Sequence, residues 1–234
     1  MKIGIMQPYF VPYIGYWQLL NAVDQYVIYD DVNFIKGGWI NRNRILINEG
    51  PKYFNIPMLG ASPNKLINEV KVNNDEKIIS KNLRILNAAY SKAPFFDEVY
   101  PLMEKMLWCK EDNIASYIAV STSIICDYLD IKTELLISSD MVKDNNLTGQ
   151  DKVLEICQIL KATDYYNAIG GRELYSFDEF DKKGIKLHFL QRKEIRYKQF
   201  GNDFYPDLSI VDVMMFNSKQ TVKEMLNEYT LIDS

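Results

Sequence analysis

The sequence predicts an α/β fold, a Rossmann-like mixed or parallel sheet flanked by helices with a helical central segment. Three observations predict it. Short apolar runs alternate with helix-period stripes at both ends of the chain, the pattern of strands alternating with helices. Residues 75–135 carry helix-period stripes alone. No repeat, low-complexity tract or Gly/Ser linker divides the chain, so residues 1–234 read as one domain with a helical insertion at 75–135.

Each element has a local reason. Lys2–Met6 is a short apolar run closed by Gln7-Pro8, hence a buried strand, and residues 7–13 form an aromatic, proline-containing loop. Tyr16, Leu19, Leu20 and Val23 make a helix stripe over 15–23, ended by Asp24. Tyr26–Tyr29 is the second strand, expected parallel to the first. Residues 32–47 alternate around Gly37-Gly38 and read as an irregular hairpin or loop. Tyr53–Pro57 and Glu69–Val72 read as short strands. Helices follow at 77–91, 102–108 and 114–129. Thr148-Gly-Gln-Asp151 and Ser176-Phe-Asp-Glu179 match capping boxes, the first opening a helix to Lys161 and the second one that Gly184 ends. Tyr165–Ile169 and Ile185–Leu190 are strands, and Leu208–Phe216 and Ser218–Leu226 are the last helices.

Composition excludes several classes. With 47% hydrophobic and 25% charged residues the chain is globular rather than disordered. A net charge of −4 argues against a duplex nucleic-acid partner. No apolar run approaches the ~18 residues of a membrane span, and residues 1–15 lack signal-peptide character, so a cytoplasmic location is expected. Cys109, Cys126 and Cys157 are widely spaced and unsuited to zinc or a disulfide framework. A single histidine, His188, leaves no multi-histidine metal site, so no metal is expected. His188 reads as structural and Cys157 as a buried apolar residue.

Aromatic residues make 13% of the chain, sixteen of them tyrosine. Most pack as core. Those of the first loop lie where ligands gather in open α/β sheets, at the carboxyl ends of strands. Gln7, Tyr9, Tyr13 and Tyr16 are therefore candidate ligand contacts, Gln7 offering both a donor and an acceptor. The second candidate is the segment from Asp30-Asp31 through Lys36 to Gly37-Gly-Trp-Ile-Asn-Arg-Asn-Arg44. Adjacent carboxylates repel, which raises one pKa toward the range of a general base. Trp39 can stack on a planar ring or sugar face. Arg42 and Arg44 share a strand face and can grip phosphate or carboxylate. Such a site suits a nucleotide-linked sugar. The alternative is a surface hairpin salt-bridged to Asp30 or Asp31. Gly170-Gly171 either cradles an anion or makes a plain turn. Near the C-terminus, Asp207 reads as a helix cap, and Asp212, inside an apolar helix, needs a partner such as Arg42 or Arg44.

Two resemblances follow from these residues. Tyr13-Ile14-Gly15-Tyr16 resembles the start of nucleotidylyltransferases of the His-x-Gly-His type, but both histidines, which carry that chemistry, are absent. The stretches MQPYFVPYIGYWQLL, YDDVNFIKGGWINRNRI, YSKAPFF, GGRELY and PDLSIVDVMMFN together resemble the WbqC-like family, from residue 1 to about residue 230. That resemblance implies an association with bacterial O-antigen and other surface-polysaccharide gene clusters. It also implies transfer of glycine or a similar aminoacyl group onto an amino sugar. Where family members often carry Lys-His before the YSKAPFF motif, this chain has Lys81-Asn82.

The expected activity is N-acyl or aminoacyl transfer to an amino sugar, with Asp31, Asp30, Lys36 and Asn41 as candidate catalytic residues. Gln7, Tyr13, Tyr16, Trp39, Arg42, Asn43, Arg44, Gly170, Gly171 and Gln199 are candidate substrate contacts. No tightly bound cofactor is expected. The donor would be an acyl or aminoacyl thioester of CoA or a carrier protein, and the acceptor a nucleotide-linked amino sugar. The alternatives are a non-catalytic nucleotide-sugar-binding or scaffold protein of a polysaccharide assembly complex, and a nucleotidyltransferase relative that binds ATP.

Overall fold

A computed structural model describes residues 1–48 and 50–233. β1 (Lys2–Met6) leads through α1 (Ile14–Asn21) to β2 (Gln25–Ile28). The hairpin β3 (Arg42–Ile47) and β4 (Gly50–Asn55) follows, then the short strands β5 (Met58–Leu59) and β6 (Lys71–Val72). Three long helices come next, α2 (Glu76–Tyr90), α3 (Phe96–Leu107) and α4 (Ile114–Leu129). The chain then returns to the main sheet with β7 (Glu134–Ile137), α5 (Gly149–Ile159), β8 (Asp164–Ala168), α6 (Phe177–Asp181) and β9 (Lys186–Arg192). It ends with α7 (Ile210–Phe216), α8 (Lys219–Met225) and β10 (Tyr229–Ile232).

The six-stranded sheet has the order β10-β9-β8-β1-β2-β7, and only the β9–β10 pair is antiparallel. This is the Rossmann-like mixed sheet expected. From β1 the chain builds outward through β2 to β7, then crosses back to place β8 on the other side of β1. The reversal between β1 and β8 opens a crevice at their carboxyl ends.

Side-chain alternation puts a core on each face of the sheet. Ile3, Ile5, Val27, Tyr165 and Phe189 face α5 and α6 with Val153, Cys157 and Phe180. Tyr26, Ile28, Tyr166 and Leu190 face α1 and the helical segment, a larger core. Gly4 belongs to that face because a Cβ there would sit 3.1 Å from the Tyr26 ring.

Several local expectations are corrected. Neither predicted capping box forms: Thr148 and Ser176 make no side-chain cap hydrogen bond. Asp75 and Asn113 do cap α2 and α4. Ser209, not Asp207, caps α7, accepting from the Val211 N–H. The helix expected at 102–108 begins at Phe96 and passes through Pro101. β7 and β10, four residues each, carry too little periodicity to be read. Among the described residues, no helix is long and apolar enough to cross a membrane.

Candidate functional site

The crevice between β1 and β8 is a cavity of 560 Å³. Met6 and Gln7 leave β1 into it, and Tyr13, Tyr16 and Leu19 enter from α1 and the residue before it. Tyr29 closes one side and Asn167, Gly170 and Gly171 the other, with the N-terminus of α5 at Gly149. No Asp, Glu, Lys or Arg side chain lines it. Its polar groups are amides and phenols. The Gln7 Oε1 is buried and has no protein partner, and the Gln7 carbonyl accepts from the Tyr16 hydroxyl at 3.1 Å. Burial holds the Tyr9, Tyr13 and Tyr16 hydroxyls above their ordinary pKa, so they stay neutral donors.

A second cavity of 280 Å³ lies beside the first and shares Tyr9 and Tyr13 with it. Its other walls are Pro12, Trp39, Asn43, Arg44 and Asp207. Arg44 is the cation here. Its Nη2 reaches the Asp207 carbonyl at 3.3 Å, while its Nε–H is buried without a protein partner. Among the described residues that N–H has no acceptor, and a buried guanidinium N–H left unpaired costs roughly 1–3 kcal/mol or more, which an acceptor placed there would recover. Asn43, buried, accepts from the Arg44 N–H at 2.9 Å and orients the strand.

The walls of this cavity are held under strain. Val11 and Asp207 both have left-handed backbones, φ 38° and 56°. For β-branched Val11 that conformation is a clear outlier. It persists because the Val11 carbonyl accepts from Ser209 Oγ at 2.7 Å and Ile210 N–H donates to the Pro12 carbonyl at 2.9 Å. Ser209 N–H also donates to the Arg44 carbonyl at 2.8 Å. Arg192 Nη2 donates to Asp207 Oδ1 at 2.7 Å at the edge of the cavity. Behind this wall, the Asp212 carboxylate accepts from Tyr90 at 2.8 Å, Tyr197 at 2.7 Å and Gln199 at 3.0 Å. These partners, not Arg42 or Arg44, satisfy Asp212. Burial still raises its pKa more than the three hydrogen bonds lower it.

Of the predicted contacts, Gln7, Tyr13, Tyr16, Gly170 and Gly171 meet in the crevice, and Tyr13, Trp39, Asn43 and Arg44 in the smaller cavity. Arg42 lies outside both, on the hairpin. Gln199 is sealed in the Asp212 network. The four residues expected to be catalytic line neither cavity. Asp30 caps the turn after β7, accepting from the Ser139 N–H at 2.9 Å and Oγ at 2.7 Å. Asp31 is clamped by Lys143 at 2.8 Å and Lys152 at 2.9 Å, all three side chains at most 8% exposed. Burial pushes its carboxyl up, but Lys143, Ser138 and Lys152 together bring the net pKa below the ordinary value. The expectation of a raised pKa is therefore corrected for Asp31: Lys143, Ser138 and Lys152 together outweigh burial. Asn41 closes the β3–β4 hairpin through the Ile56 carbonyl at 2.8 Å. Lys36 is exposed on the preceding loop. The sequence reading did not single out Asn167, and it gave Asp207 to a helix cap rather than to the wall of the smaller cavity.

The site is thus an uncharged crevice at the sheet reversal of an α/β protein, with an arginine-bearing cavity beside it. The model of the WbqC-like protein family matches residues 7–224, and this chain belongs to that family. It is also similar to an uncharacterized protein of Mycobacterium tuberculosis, 29% identical over 219 residues, 92% of this chain and 93% of the relative. No solved structure matches it significantly.

Proposed function

We propose that the chain is an N-acyl or aminoacyl transferase acting on a nucleotide-linked amino sugar in bacterial surface-polysaccharide (O-antigen) biosynthesis. The observation that carries this reading is the pair of cavities sharing the wall of Tyr9 and Tyr13, one uncharged and one holding the unpartnered Arg44 Nε–H. In this reading the nucleoside occupies the crevice, met by Gln7 and the tyrosines. The diphosphate passes toward Arg44, and the sugar enters the smaller cavity beside it. The sugar amine then attacks the carbonyl carbon of an acyl or aminoacyl thioester. Its proton goes to Asp207, the carboxylate lining the cavity, the C–S bond breaks, and the departing thiolate receives the proton. Neutral Tyr13 donates to the developing oxyanion. Orientation supplies the larger share of the rate, since thioester aminolysis needs no covalent enzyme intermediate.

The engagement of both Asp30 and Asp31 favours a second reading, a nucleotide-sugar-binding scaffold without turnover. One experiment separates them. Thermal unfolding is measured with UDP- and dTDP-linked amino sugars, acyl-CoAs and ATP, followed by mass spectrometry of the mixtures. A ligand at about 100 times its Kd adds about 2.7 kcal/mol. The transferase reading expects stabilisation by a nucleotide amino sugar, lost in Arg44→Met, and an acylated product. Stabilisation without product supports the scaffold. Stabilisation by ATP alone would overturn both.

A further inference from the structure

Outside the smaller cavity, Trp39 continues onto a surface feature that the site above does not use. Trp39 is 40% exposed, and its ring packs against Tyr53, 52% exposed, at 6.1 Å between centroids. The Arg42 guanidinium lies over the other ring at 4.5 Å from the Tyr53 centroid. It is fastened there by its Nε–H donating to the Gly38 carbonyl at 3.0 Å and Nη2 donating to the Gly37 carbonyl. In the hairpin register Tyr53 stands opposite Arg44. Residues 32–56 carry Lys36, Arg42, Arg44 and Lys52 against the single acidic residue Glu49, in a chain whose net charge is −4. Two exposed aromatic rings with a fixed guanidinium beside them form a small cationic shelf at the cavity mouth.

We infer that this shelf binds the nucleotide end of the donor, which makes the donor a coenzyme A thioester rather than one carried by a protein. The inference rests on the transferase reading for the donor's existence, but its binding claim does not need turnover. A purine stacks on exposed aromatic faces, and its phosphates are matched by arginine and lysine. A carrier-bound donor has the same pantetheine arm but no adenine to stack on the two rings. With the adenine on Trp39 and Tyr53, the pantetheine arm has a short path past Trp39 into the cavity where the sugar amine waits.

The test is calorimetric titration of the full chain with free CoA and, separately, with pantetheine, which lacks the nucleotide. The same titrations are repeated on Tyr53→Ala and Arg42→Gln, with circular dichroism confirming the fold. Pantetheine should bind at least tenfold more weakly than CoA. Each substitution should weaken CoA about tenfold or more while leaving stabilisation by UDP-linked amino sugars intact. Equal affinity for pantetheine and CoA, unchanged CoA affinity in Tyr53→Ala, or no CoA binding by the wild type overturns the inference. Stabilisation by a UDP-linked amino sugar with no CoA binding would leave the transferase reading standing with a protein-bound donor. CoA binding with no amino-sugar binding would do the reverse.

Discussion

Replacing Asp31 by alanine tests whether the carboxylate is a structural clamp or a base. In the wild type one carboxylate oxygen receives both Lys143 and Lys152, whose side chains are 1% and 6% exposed. Lys152 also donates to the Asp31 carbonyl at 3.0 Å, and Lys143 to the Ser138 carbonyl, so the lysines cannot swing out to water without losing further bonds. Removing one partner of a buried ion pair costs roughly 3–5 kcal/mol, because the remaining charge stays desolvated. The lower end of that range, about 3 kcal/mol, is the expected loss. For a chain of this size each kcal/mol lowers Tm by about 2–4 °C, so the loss is roughly 6–12 °C at pH 7. The pH dependence has a fixed sign. The folded-state pKa of Asp31 lies below its unfolded value, so its contribution is present above the unfolded carboxyl range. It is lost as pH falls through the folded pKa. The gap between wild type and Asp31→Ala should therefore be widest near neutrality and close below about pH 4. Thermal unfolding followed by circular dichroism from pH 3 to 8 measures it. A Tm within about 2 °C of wild type at pH 7, with group transfer abolished, would refute the clamp and restore Asp31 as the base.

Other perturbations separate binding from stability. In Gly15→Ala the new Cβ would lie 2.5 Å from the Tyr13 ring, which must move from the place it holds on the wall of both cavities. Alanine is favoured over glycine in a helix by about 1 kcal/mol, so Tm should hold or rise while stabilisation by the nucleotide amino sugar falls. An unchanged ligand response would show that the Tyr13 ring forms no part of the site. Tyr90→Phe removes the donor to Asp212 Oδ2 and the acceptor of the Leu46 N–H, at a cost of roughly 2–3 kcal/mol. Because the Asp212 pKa lies above its unfolded value, its burial costs least at low pH, where the carboxyl is protonated, and losing a donor to the carboxylate raises that pKa further. The deficit of Tyr90→Phe should thus shrink as pH falls from 8 toward 4. A deficit that grows on acidification would contradict the assignment.

The sheet was legible where the chain repeats a simple period. Lys2–Met6, the α1 stripe and β2 were read with small boundary errors, because burial on both faces of a parallel strand leaves a continuous apolar run. The crevice contacts followed from that reading, since the loop after β1 must reach the sheet reversal. What the sequence hid is what depends on distant partners. Nothing near Asp31 in the chain announces Lys143 and Lys152, more than a hundred residues away, so adjacent aspartates read as a mutually repelling pair. Thr148 and Ser176 match the capping pattern, yet neither side chain turns to its helix. Asp207 reads as a cap by residue type, but the hydroxyl two residues later takes that position and leaves Asp207 to Arg192.

The bond from Ser209 to Val11 spans 198 residues of chain. It means that the smaller cavity is incomplete until the chain has been made through residue 209. A ribosome-bound fragment ending before Asp207 can pair β1 with β2, yet it holds neither Ser209 nor Asp207. Closing so long a loop is slow relative to local helix and hairpin formation. Completion of the cavity around Arg44 therefore belongs to the last stage of folding. If the proposed function holds, a nucleotide sugar acts on the finished protein as a late-arriving brace rather than as a template for the nascent chain.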